Sequence, residues 1–109
     1  MAAFKRAVAD YDNPAVIAAR LKITEAWANS DEATLANFAR WCQCMRNARE
    51  VAFYKRLIDD RNLTMADGLD KIHLRGKPVF AGAGALHMFG ANALPKLMAQ
   101  RGYRVERIF

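Results

Sequence analysis

The chain is poor in the residues that build metal centres and cross-linked scaffolds: of 109 residues only two are histidine and two are cysteine. A catalytic metal takes about three protein donors, and His73, Cys42, Cys44 and the scattered carboxylates converge on no ligand spacing. Cys42 and Cys44 fall in a helical pattern, where residues two apart point about 200° away from each other. The expectation is therefore two buried free thiols with no bridge between them. No apolar stretch approaches the roughly twenty residues needed to span a bilayer. The start, Met1-Ala2-Ala3-Phe4-Lys5-Arg6, has neither the apolar core nor the cleavage site of a signal peptide, so the chain as written reads as soluble and cytoplasmic. There is also no Lys/Arg run: seventeen basic against eleven acidic residues give a net charge of +6, but the charges are scattered and no array of aromatics accompanies them. Electrostatic binding to nucleic acid thus rests on net charge alone.

What is present suits a folded body. The hydrophobic fraction is 53 %, and the length fits one domain over 1–109, able to bury roughly 60–65 % of its unfolded surface. In the front two-thirds, Asn13 and Pro14 open a helix running to Ala28, and Ser30 or Asp31 can cap the next. From Leu35, the residues Phe38, Trp41, Cys42, Met45, Ala48 and Ala52 share one face of an amphipathic helix. Arg49 and Arg56 land inside that apolar arc, which predicts a break near Asn47 and a second helix from Arg49 to Ile58 in a different phase. Arg61-Asn62 then reads as a junction, with Asn62 serving the turn. A short helix, Met65 to Leu74, follows, opened by Thr64 with Asp67 three residues on. His73 in its last turn reads as a surface residue favoured by the helix C-terminus.

The rear reads differently. Val79-Phe80-Ala81-Gly82-Ala83 is an apolar run after Lys77-Pro78 and before Gly84, which predicts a strand buried on both faces. Asn92 to Gln100 reads as a helix closed by Gly102, and Tyr103 to Phe109 as a second strand, with the Tyr103 hydroxyl satisfied in the core. Strand, crossover helix and strand in some thirty residues is the length of a βαβ unit with parallel strands. The expected fold is α/β (or α+β), mostly helical, with a small parallel sheet at the C-terminal end.

Gly84 and Gly90 punctuate the loop that presents His87 just past the first strand, where sheets hold binding groups. An imidazole so placed can ligate a metal or move a proton near neutral pH; the structural alternative is a satisfied core histidine. Arg61 is the second candidate, able to bind a carboxylate or, equally, to tie the helix junction together.

Taken in order, Asp60-Arg61-Asn62, Met65-Ala66, Gly76-Lys77-Pro78-Val79-Phe80, Gly84-Ala85-Leu86-His87, Gly90 and Arg101-Gly102-Tyr103-Arg104-Val105 resemble the C-terminal half of the TraB/GumN family, which includes the Tiki-type proteases. A weaker likeness lies around Glu25-Ala26-Trp27. Members of that family carry two Gly-x-x-His motifs, with an acidic residue near the first, and are proposed metal-dependent hydrolases. Only the second motif, Gly84 to His87, is present here. The resemblance implies a self-associating, non-catalytic module, most simply a homodimer, with no cofactor in the isolated chain. Its alternative is half of a hydrolase site in which His87, aided by Arg61, would meet a divalent metal once a second chain or a missing N-terminal half completes it.

Overall fold

The structure, a computed structural model, describes residues 2–108. Among them, seven α-helices follow one another: α1 (Ala2–Ala9), α2 (Pro14–Ala28), α3 (Glu32–Ala36), α4 (Phe38–Trp41), α5 (Ala48–Tyr54), α6 (Asp60–Leu74) and α7 (Leu94–Gln100). A π-helical segment, Lys55–Asp59, joins α5 to α6, and a 3₁₀ turn, Ala85–His87, lies between α6 and α7. No residue among those described forms a strand.

Local chemistry sets the helix starts in the front half. Asn13 accepts the Ala15 N–H through its side chain at 2.9 Å, and Pro14 occupies the first turn of α2, where a missing N–H costs nothing. Asp31, not Ser30, caps α3 by accepting the Thr34 N–H at 3.0 Å, while Ser30 takes a left-handed φ of 55° to make the turn. Asn47 caps α5 through the Glu50 N–H at 3.0 Å, so the break expected near Asn47 is present. The front is held by rings: Phe38 meets Trp41 edge-on at 5.2 Å and stacks with Tyr54 at 5.7 Å, and the Trp41 indole N–H donates to the Thr34 carbonyl at 2.9 Å. Burial, then the Asp59 charge, raises the Tyr54 hydroxyl above its ordinary pKa.

The rear core is small. Ala66 on α6 and Leu94 and Leu97 on α7 are buried together, with Met65 and Met98 packed against them. Gly102 closes α7 with a φ of 92°, a conformation that favours glycine. Arg107 ties the C-terminal segment forward: it pairs with Glu32, donates to the Ser30 carbonyl at 2.9 Å and lies 5.6 Å from the Phe89 ring.

Three expectations are corrected. The βαβ unit is absent among the described residues: 77–84 and 103–108 carry no regular secondary structure and make no ladder with each other, and Phe80 is fully exposed. An apolar run read from sequence carries no information about whether a neighbour pairs with it, and two strands alone rarely hold a sheet. Phe109 lies outside the described residues. Second, Arg61-Asn62 is no junction. The chain is helical without interruption from Ala48 to Leu74, passing through the π segment, and neither Thr64 nor Asp67 opens a helix. Third, Cys42 and Cys44 are bridged, with Cα atoms 5.2 Å apart. The helical spacing that would have separated them ends at Trp41, and Gln43 adopts a φ of 57° that turns the chain back on itself.

Candidate functional site

Asn62 is the only polar side chain buried among the described residues, at 1 % exposure. It sits on the first turns of α6, one turn beyond Ile58 of the π segment and one turn before Ala66. Burying an amide costs on the order of 1–3 kcal/mol unless its hydrogen bonds are made, and here they are. Its Nδ2 donates to the Asn92 carbonyl at 2.8 Å and lies 3.4 Å from the His87 carbonyl; its Oδ1 is 2.6 Å from His87 Nδ1. One side chain on a helix thus pins both ends of the loop that carries the histidine.

The arrangement fixes the histidine tautomer. Backbone carbonyls only accept, so the amide NH₂ must face them and Oδ1 must face the ring. An oxygen there accepts a hydrogen bond from Nδ1–H, which leaves the lone pair of the neutral imidazole on Nε2. Burial, and then the positive charge of Arg61, hold the His87 pKa below its ordinary value, so the neutral form is favoured. The ring is further set by the 3₁₀ turn, in which the His87 N–H donates to the Gly84 carbonyl at 3.0 Å. His87 is half-buried, and its Nε2 is suited to accept a proton or bind a metal, in the way ligating histidines are oriented by a bond on the other nitrogen.

Arg61 is exposed, and its charge is the lesser of the two causes that lower the His87 pKa. The two glycines differ. Gly90 has a φ of 98°, which restricts the position to glycine, whereas Gly84 has a φ of −61° and a Cβ there would meet His87 Cδ2 at an ordinary 3.7 Å. The backbone at Gly84 therefore does not require glycine.

His73 does not join the site. Eleven residues further along α6, roughly 16 Å by helix rise, it packs edge-on against Tyr103 at 5.2 Å. Tyr103 in turn donates to Asp70 at 2.6 Å, and that bond, with burial second, raises the Tyr103 pKa. Arg101 bridges to Asp67 at 2.5 Å beside them. With both cysteines bridged and no group of three candidate ligands among the described residues, one chain's donors do not suit a metal.

Asn62 is the residue of the candidate site that the sequence did not point to. A signal existed: Ile58, Asn62, Met65, Ala66 and Leu69 recur at helical spacing, so Asn62 occupies a core position in a helix, where an amide needs a partner.

A model of the TraB/PrgY/gumN family matches residues 3–107, which extends the likeness from the fifty C-terminal residues to nearly the whole chain. No curated protein and no solved structure matches the chain. The match over almost every residue is the ground for assignment: the chain belongs to the TraB/PrgY/gumN family.

Proposed function

We propose that the chain is a self-associating module, non-catalytic by itself, that carries one half of a hydrolytic site. The observation that carries this reading is the bond from His87 Nδ1 to buried Asn62, because a histidine used only for packing needs no partner that commits its tautomer and leaves Nε2 free. In a completed site His87 Nε2 would take a proton from the attacking water, and Arg61, which has no carboxylate partner among the described residues, would hold a carboxylate of the substrate or of the second half. The remaining groups have to come from another chain or segment, since a single imidazole supplies neither a nucleophile nor charge stabilisation for the transition state.

The surface supports association. A folded monomer of this mass exposes about 6,000 Å², and this chain exposes 8064 Å². Its radius of gyration is 15.7 Å, against about 13 Å for a compact chain of this length. Leu74, Phe80 and Ile108 are each at least three-quarters exposed. The excess of about 2,000 Å² is more than the roughly 800 Å² that a standard interface removes from each partner.

Sedimentation at micromolar concentration, run beside a peptide and ester panel on each species, tests the reading. Association is expected, with no turnover from the monomer. A strict monomer at all concentrations, or monomer turnover that disappears in His87→Ala, would contradict it.

A further inference from the structure

The Cys42–Cys44 bridge stands apart from the His87 loop, and it lies on the wall of a cavity of about 460 Å³ between α1, α2 and the start of α5. The cavity is of ligand size and is lined by four arginines, Arg6, Arg20, Arg46 and Arg49, against two carboxylates. Asp10 pairs with Arg6 at 2.8 Å and with Arg46 at 3.5 Å, and Glu50 pairs with Arg46 at 2.8 Å. Arg20 and Arg49 have no carboxylate partner among the described residues. The cavity therefore keeps two uncompensated guanidinium groups beside a disulfide, which is the environment that draws in an anion and favours a thiolate.

We propose that this cavity is a thiol–disulfide exchange site for a small thiol bearing one or more carboxylates. The carboxylate rests on Arg20 and Arg49. The thiolate attacks Sγ of Cys44, which is less buried than Cys42; the Cys42–Cys44 bond breaks, a mixed disulfide forms at Cys44, and Cys42 leaves as a thiolate. The leaving sulfur is already favoured, because the Cys44 N–H points at Cys42 Sγ at 3.2 Å and a hydrogen bond to sulfur stabilises the anion. A second molecule of the thiol then attacks the small-molecule sulfur of the mixed disulfide and releases Cys44. Two electrons pass to the protein, the two cysteines end with the two thiol protons, and the small thiol leaves as its symmetrical disulfide. Gln43, held at a φ of 57° inside the three-residue ring, is freed by the same step.

The test uses the intact oxidised chain with three probes: 3-mercaptopropionate (anionic), 2-mercaptoethanol (neutral) and cysteamine (cationic). They are compared at equal thiolate concentration, and dithiol formation is followed by alkylation and mass spectrometry. The expected order is anionic, neutral, cationic, with about tenfold or more between the extremes. The preference should shrink in about 0.5 M salt and disappear when Arg20→Gln and Arg49→Gln are combined. If that double variant fails to fold by circular dichroism, the salt dependence of the native chain carries the same test. Cys42→Ser treated with the disulfide of 3-mercaptopropionate should trap one adduct at Cys44. Equal rates for the three probes, a preference that survives salt, or a bridge that resists all three thiols until the chain unfolds would overturn the proposal.

Discussion

The two ends of α6 carry a histidine problem solved in opposite ways. Near its start, Asn62 is buried and commits all its polar atoms to the loop of His87, so the ring is held with one nitrogen satisfied and the other free. At its end, His73 is exposed and meets only the edge of Tyr103, whose own hydroxyl is occupied by Asp70. The residue type is the same and the helix is the same. What differs is the partner: a buried amide with no freedom to reorient defines a tautomer, whereas an aromatic edge defines only a packing position. This is why the proposed half-site is placed on His87 and not on a histidine in a last helical turn.

Breaking the buried end should cost most. Asn62→Ala removes the partner of two carbonyls and of the ring and leaves a small void, so a loss of about 2–4 kcal/mol is expected in denaturant unfolding. A loss below about 1 kcal/mol would mean that the amide is not the anchor. The loop glycines divide next. Gly90→Ala should cost roughly 1–2 kcal/mol from its positive φ alone, since nothing lies within 4 Å of the added Cβ. Gly84→Ala should instead be neutral or stabilising by up to about 0.5 kcal/mol, because its φ suits any residue. At the open end of α6, His73→Ala should cost less than about 1 kcal/mol, measured by thermal unfolding. The pH dependence sharpens the same contrast. The folded His87 pKa lies below its ordinary 6.5, so between the two values the unfolded chain binds more protons. The stability tied to a neutral His87 is thus present above about pH 6.5 and lost as pH falls through the folded value. The His87→Ala chain should show a shallower fall than the native chain over that window, and an unchanged profile would contradict the shift.

Much of the front was legible because its signals are local. Asn13 and Asp31 accept N–H groups within three residues of themselves, and Pro14 acts through its own fixed φ, so their sequence neighbourhood is enough. The rear depended on contacts that sequence spacing does not encode. Asn62 is a poor helix former, which made Arg61-Asn62 look like a turn; its bonds to His87 and Asn92, 25 and 30 residues away, override that preference. The apolar run from Val79 to Ala83 had the composition of a central strand, yet a strand is defined by a neighbour, and no neighbour pairs with it among the described residues. The Cys42–Cys44 bridge was hidden by the assumption of unbroken helix, which Gln43 ends. The motif and its order marked His87 and Arg61 as candidates, while the buried amide that holds the His87 ring carried no such mark.

The central claim is that Asn62 fixes His87 as the neutral imidazole protonated on Nδ1 with Nε2 free. Nitrogen-15 NMR of the histidine side chains, recorded near pH 7.5 on the native chain and on Asn62→Ala, measures this directly. The account predicts that His87 in the native chain shows a protonated Nδ1 and an unprotonated Nε2, and that the substitution turns it into a mixture of tautomers. A native His87 protonated on Nε2, or a tautomer mixture unaffected by Asn62→Ala, would contradict it.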